Sequence, residues 1–291
     1  MDFGRLITAM VTPFDDQGLI DWEQTKRLMD YLIEEQRSDA LVVCGTTGES
    51  PTLRDEEKLE LFKFAVEYSA GRCKIIAGTG SNATAHSIHL TQEAERQGVD
   101  GILLVVPYYN KPNQEGLYRH FEAIAQSTSL PVILYNVPSR SIISMSAATT
   151  LRLAQIPNIV ATKECASLEQ VATIAAEAPE GFKVYSGDDS AALPALSVGA
   201  YGVISVASHI IGDKMKQMLT SFIEGRVLEA ARLHQEMLPT FKGLFECPNP
   251  VPNPVAVKFA LNELGYSVGS VRQPLLPPTE EEASFIRNLL R

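Results

Sequence analysis

Short apolar runs rich in β-branched residues recur along the chain, and amphipathic stretches separate them. The runs predict strands at about 6–12, 40–44, 74–78, 101–106, 131–136, 159–164, 183–187 and 202–206. Helical periodicity marks 21–36, 54–70, 83–97 and 114–129 between them. In the stretch 54–70, Asp55, Glu56 and Glu57 favour a helix N-terminus through the macrodipole. Leu59, Leu61, Phe62, Ala65 and Val66 then fall largely on one face.

Eight strands alternating with helices predict an all-parallel sheet. Parallel strands are buried on both faces and read as near-continuous apolar runs, as these do. A closed α/β fold, the (β/α)8 TIM barrel, suits eight such repeats better than an open sheet, whose edge strands need protection. A doubly wound sheet is the competitor that periodicity alone does not remove. The strand runs stop after about residue 225. Residues 226–246 read as helix, and the segment CPNPVPNP then breaks the chain, because proline lacks the N–H that a helix or ladder needs. Helices at about 251–265 and 280–290 follow. The expected division is a catalytic barrel over 1–225 and a C-terminal helical domain over 226–291.

Composition narrows the class. Of 291 residues, 45% are hydrophobic and 21% charged, the balance of a globular chain with a sizeable core. The 25 basic and 35 acidic residues leave a net charge of −10, which argues against nucleic acid or anionic lipid as the main partner. Cys44, Cys73, Cys165 and Cys247 form no C-x-x-C pair and read as free thiols in a reducing compartment. The N-terminal stretch MDFGRLITAMVTPF does not read as a secretory signal, and no apolar stretch nears the roughly 20 residues needed to span a bilayer. A cytoplasmic protein without a membrane partner is expected.

Barrel active sites collect at the C-terminal ends of the strands. Those ends carry Gly45-Thr46-Thr47-Gly48-Glu49, Pro107-Tyr108-Tyr109-Asn110, Tyr135-Asn136-Val137-Pro138-Ser139-Arg140, Lys163 and Gly187-Asp188-Asp189, with Ile204 in the eighth strand. Lys163 is the sharpest of these. Alternation puts it on one face with Ile159 and Ala161, and burial there would lower its pKa and free the amine to attack a carbonyl carbon. A strand-end lysine that snorkels to solvent is the competing reading. Tyr135 is the natural proton carrier beside it, although a core tyrosine with a satisfied hydroxyl would look the same. Thr46 and Thr47 suit a glycine-bounded turn whose N–H groups approach a carboxylate, and equally an ordinary turn. Arg140 offers a bidentate fork for a carboxylate, or is a surface arginine.

Other signals are weaker. Gly78 to Ala83 resembles a dinucleotide fingerprint, which would make the chain a cofactor-binding oxidoreductase, but the next strand lacks the acid that such a site wants at its end. Five histidines (His86, His89, His120, His209 and His234) show no zinc-binding spacing. Cys165 could be a nucleophile, but no histidine partner is placed by sequence.

Taken together, GTTGES, PYYNKP, YNVPSR, the lysine in ATKE, SGDDS and GVISV resemble the dihydrodipicolinate synthase family, in order and spacing over nearly the whole chain. This family is related to N-acetylneuraminate lyase within the pyruvate-dependent class I aldolases and lyases. The resemblance implies a (β/α)8 barrel with a C-terminal helical domain and no cofactor or metal. It implies that Lys163 condenses with pyruvate and that Tyr135 shuttles protons. Thr46 would link Tyr135 to Tyr109, which reaches in from a neighbouring subunit. Thr47, Ile204 and Gly187 would surround the bound pyruvate, and Arg140 would hold the carboxylate of L-aspartate 4-semialdehyde. The product would be 4-hydroxy-tetrahydrodipicolinate, on the route to diaminopimelate and lysine. A homo-oligomer, at least a dimer and commonly a dimer of dimers, is implied as well.

Within the superfamily, the Thr46-Thr47 pair resembles synthases, whereas sialic acid lyases usually show Ser-Thr. Arg140 suits a small aldehyde acid; a 2-keto-3-deoxy-sugar-acid aldolase is the nearest alternative. Lysine-inhibited members bind the effector near the positions of Ser50, Pro51, Asp55, Lys58, Asn82, His86 and Tyr108. The regulated type commonly carries a carboxylate where this chain has His86, so weak or absent inhibition is expected.

Overall fold

The computed structural model describes residues 2–291. Its eight strands are β1 (Leu6–Ala9), β2 (Ala40–Val43), β3 (Lys74–Gly78), β4 (Gly101–Val105), β5 (Val132–Asn136), β6 (Ile159–Glu164), β7 (Lys183–Ser186) and β8 (Gly202–Ser205). All pair in parallel in chain order, and β8 returns to β1 through Leu6↔Val203 and Ile7↔Ile204. The sheet is therefore closed, and the doubly wound alternative is excluded. With every N–H and C=O row paired to a neighbour, no edge is left for another chain.

The outer layer begins with α1 (Trp22–Asp30), α2 (Asp55–Ser69), α3 (Thr84–Arg96) and α4 (Gln114–Ala125). It continues with α5 (Pro138–Ser141), α6 (Ala147–Leu153), α7 (Leu168–Glu177), α8 (Ala192–Ser197) and α9 (Ser208–Ile223). Local chemistry starts several of them. Asp21 accepts from Gln24 N–H at 3.0 Å and Asn113 from Gly116 N–H at 2.8 Å, each satisfying a donor that the first turn leaves free.

Two boundaries differ from expectation. The run at 6–12 pairs only as far as Ala9, yet Met10, Val11 and Thr12 stay buried. Each is held by a different part of the fold: Met10 N–H donates to Val42 C=O of β2 at 3.0 Å, Val11 N–H to His209 Nε2 at 3.1 Å, and Thr12 C=O accepts from Lys258 Nζ at 2.9 Å. The helix expected over 21–36 is α-helical only to Asp30 and widens into a π-helical turn at Tyr31–Glu35.

Beyond the barrel lie α10 (Val227–Glu246), α11 (Val255–Glu263) and α12 (Glu280–Leu289). Thr279 and Glu282 form a capping box at the start of α12. These helices are anchored to the barrel mouth by charge. Buried Lys258 on α11 donates to Glu49 Oε1 at 3.0 Å and to Ser270 C=O at 2.6 Å. Arg272 meets Glu57 of α2 through both terminal nitrogens, at 3.1 and 2.7 Å. Among the described residues, no helix is long and apolar enough to cross a membrane.

The core has two shells. Inside the barrel, Ile7, Val42, Ile76, Leu103, Ile133, Ala161, Tyr185 and Ile204 interdigitate. Between sheet and helices, Leu6, Leu41, Phe62, Ile75, Leu104, Phe121 and Leu134 pack with many others. Lys163 and Tyr135 sit at the upper end of the inner shell.

Candidate active site

Strand register brings Lys163 and Tyr135 together. They are direct partners across β5 and β6, and Lys163 is also the partner of Tyr185 across β6 and β7. Lys163 does not snorkel: it is 5% exposed, and Nζ lies 4.3 Å from the centre of the Tyr135 ring. Burial strips water from the ammonium and lowers the lysine pKa. Cys165 and Asp189 oppose that fall, and the Arg140 charge adds to it.

Tyr135 is equally buried, and burial raises its phenol pKa. Cys165 adds to the rise, whereas Arg140 and the Thr46 side chain oppose it. The phenol therefore keeps its proton at neutral pH, beside an amine from which burial makes the proton easier to remove, the complementary tendencies a proton relay needs. Cys165 itself is pushed up to about 12 by burial, opposed by Lys163. It is a thiol at neutral pH, so the nucleophilic reading has no support.

Gly187, at the end of β7, makes room for the lysine. A Cβ there would lie 2.3 Å from Cys165 Sγ and 2.8 Å from Lys163 Cε. Asp189, two residues on, is buried and accepts from Val206 N–H at 3.1 Å and Ala207 N–H at 2.8 Å, while Oδ1 has no partner. Sequence inspection noted Asp189 only as part of a strand end. Its sign was an acid next to the predicted amine site.

A cavity of about 500 Å³ opens beside Tyr135, and Lys163 lies behind the tyrosine ring, outside the cavity wall. Thr46, Tyr135 and Arg140 line it, so three of the predicted residues share one space. Exposed Arg140 closes the short helix α5, where Pro138 supplies a preset φ at the first turn. Thr47 is buried and outside that wall; its Oγ1 accepts from Asn253 Nδ2 at 2.9 Å. In the turn that carries both threonines, Ser50 N–H closes on Gly45 C=O, whereas among the described residues no backbone carbonyl receives the N–H of Thr46 or Thr47. Ile204 is fully buried in the inner shell.

Tyr109 is not in this cavity. It is 88% exposed at a φ of 76°, an unusual conformation for a tyrosine, although its neighbour Tyr108 lines the wall. The same cavity extends to Ser50, Pro51, Lys58, Asn82 and His86. There Asp55 is occupied on both oxygens, by His86 Nε2 at 2.7 Å and Lys58 Nζ at 3.2 Å.

The glycines at 78–80 have a packing role. A Cβ on Gly78 would meet Cys44 C=O at 2.4 Å, and one on Gly80 would meet Val105 N at 2.4 Å. Their spacing reflects strand-to-loop approach, which removes the motif that suggested a dinucleotide site. Among the described residues, no cluster of three His, Cys, Asp or Glu is placed to hold a metal.

A closed parallel barrel that seats a buried lysine against a buried tyrosine has the architecture of the amine-dependent aldolases and lyases. More narrowly, a sequence model of the dihydrodipicolinate synthetase family matches residues 2–291, and the chain belongs to that family. It is 55% identical over 284 residues to a 4-hydroxy-tetrahydrodipicolinate synthase of Bacillus subtilis strain 168, covering 97% of this chain and 96% of the relative. A second synthase, from Symbiobacterium thermophilum, is 54% identical, over 99% of this chain and 97% of its own. Among solved structures, dihydrodipicolinate synthase from Bacillus anthracis superposes with a TM-score of 0.96 at 50% identity, covering 100% of this chain and 98% of that one. The Cyanidioschyzon merolae enzyme, crystallised with lysine bound, gives 0.96 at 44% identity, over 99% and 97%.

Proposed function

We propose that this chain is a 4-hydroxy-tetrahydrodipicolinate synthase that condenses pyruvate with L-aspartate 4-semialdehyde through a Schiff base on Lys163. The observation that carries the reading is the buried register pair Tyr135↔Lys163, whose tyrosine lines a cavity shared with Thr46 and Arg140.

The Lys163 amine adds to the C2 carbonyl of pyruvate, and the oxygen leaves as water after receiving a proton from Tyr135. The resulting iminium acidifies the adjacent methyl group, which gives up a proton to form the enamine. That carbon bonds to the aldehyde carbon of the second substrate, whose oxygen takes up a proton. Attack of the substrate's own amine at C2 then closes the ring and expels Lys163. Thr46, which lines the same cavity as Tyr135, passes protons between it and Tyr109 of the partner subunit. The exposure of Tyr109 supports that role, since a side chain left uncovered by its own chain is available to another. A homo-oligomer, with a dimer as the smallest active unit and a dimer of dimers as the full assembly, follows from this reading.

Thr47, Ile204 and Gly187 surround the pyruvate. Arg140 binds the acceptor's carboxylate, because a planar guanidinium meets a carboxylate with two parallel N–H donors. The acceptor is the part that separates this enzyme from its sugar-acid-cleaving cousins. Steady-state turnover with pyruvate should be at least about a hundred-fold faster with aspartate 4-semialdehyde than with glyceraldehyde or N-acetylmannosamine, a gap of the size that one satisfied polar contact sets. Faster turnover with a sugar aldehyde would assign the chain to the aldolase reading.

A further inference from the structure

The C-terminal segment reaches back to the turn that carries Thr46 and Thr47, and it does so at two points. Lys258 and the Arg272 backbone N–H hold the two carboxylate oxygens of Glu49, at 3.0 and 2.8 Å, at the end of the turn. Glu49 sits there at a φ of 58°. Asn253, 8% exposed in the proline-rich stretch before α11, donates from Nδ2 to Thr47 Oγ1 at 2.9 Å. The second contact has a chemical consequence. A hydroxyl that accepts from an amide N–H still has its own proton to give. Among the described residues Thr47 Oγ1 has no protein acceptor for it. A buried O–H without an acceptor is costly, so the arrangement is poised for an anion.

We propose that Asn253 is a positioning residue for keto-acid recognition: its amide fixes the Thr47 hydroxyl so that the proton points to the carboxylate of the incoming 2-keto acid. The inference rests on the Schiff-base reading above and adds to it a residue 206 positions from the one through which it acts. Accepting from Asn253 also polarises the Thr47 O–H and makes it a better donor. Glu49 and Lys258 hold the turn as a whole, whereas Asn253 sets the direction of one proton.

The test uses the full-length enzyme and pyruvate as the probe. The concentration giving half-maximal borohydride trapping on Lys163 is measured for wild type, Asn253→Asp, Asn253→Ala, Thr47→Val and each Asn253 change combined with Thr47→Val. Aspartate is nearly isosteric with asparagine but can only accept, so it takes the Thr47 proton and places a charge beside the incoming carboxylate. Asn253→Asp should raise half-saturation by about ten-fold or more, as expected for a lost hydrogen bond to a charged group. The KM for the aldehyde should stay within about two-fold. In the Thr47→Val background Asn253→Asp should cost less than in wild type, since only repulsion by its charge remains, and the uncharged Asn253→Ala should add nothing, the signature of coupling through that hydroxyl. If Asn253→Asp does not fold, Asn253→Ala removes the donor without adding charge and should still show the dependence on Thr47, with a smaller shift. Unchanged half-saturation, or an Asn253→Ala effect that persists without the Thr47 hydroxyl, overturns the proposal and leaves the Schiff-base reading intact. Failure of the wild type to trap pyruvate on Lys163 overturns both.

Discussion

Gly187 lies flush against the stem of Lys163, so close that a methyl group on it would sit 2.8 Å from the lysine Cε. The atoms in the way are side-chain atoms of Lys163 and Cys165, which can move, so Gly187→Ala should fold. Its Lys163 amine should be displaced, and a shift on the scale of an ångström at a reacting atom costs about a hundred-fold in rate. Steady-state kinetics should therefore show kcat/KM for pyruvate falling by roughly that factor while Tm changes little. Near-normal activity in Gly187→Ala would mean that the lysine's placement is not critical.

Burial of Lys163 has an opposite effect on stability. Its pKa is lowered from 10.5 by burial, so the unfolded chain binds the proton more tightly than the folded one. The resulting destabilisation is fully present below the folded-state value and fades as pH rises toward 10.5. Lys163→Met, similar in volume and uncharged, should abolish trapping and raise Tm by a few degrees at neutral pH. The trapping rate of the wild type should also level off well below pH 10.5. A rate that climbs all the way to that pH, or a Lys163→Met protein less stable than wild type, contradicts the assignment.

Tyr109 can be tested by complementation. Alone, Tyr109→Phe should lose about ten-fold or more in kcat, the lower range for a group that moves protons. Mixed with Lys163→Met under conditions that exchange subunits, it should recover activity, because hybrid dimers contain one site with both groups. No recovery in verified hybrids would place the phenol's action within one chain or nowhere in the reaction.

The end of the cavity farther from the lysine predicts insensitivity to L-lysine. Asp55 already holds two cationic or hydrogen-bonding partners, Lys58 and His86, and a further ammonium there meets like charge. Inhibition in a steady-state assay should be weak or absent, and half-inhibition at low lysine concentration would contradict this.

The strands were legible because parallel strands buried on both faces become apolar runs, and β3 and β6 match expectation residue for residue. At β1 the same logic overshot, since Met10 to Thr12 lie past the end of the strand and are buried against β2, His209 and Lys258. The cluster of Thr46, Tyr135 and Arg140 followed from one topological rule, that strand ends share a mouth. Asn253, Lys258 and Arg272 carry no such mark. They reach the barrel over more than 200 residues of sequence, and asparagine or arginine in a proline-rich stretch looks like surface until the chain is folded. Asp189 lay in view at a predicted strand end, but only folding shows an orphaned buried oxygen.

The central claim is that Lys163 forms the Schiff base, and one measurement addresses it directly. The enzyme is treated with borohydride in the presence and absence of pyruvate, digested, and its peptides mapped by mass spectrometry. A reduced three-carbon adduct on Lys163 alone, formed only with pyruvate, is the predicted result. An adduct on another residue, or none at all, would contradict the mechanism.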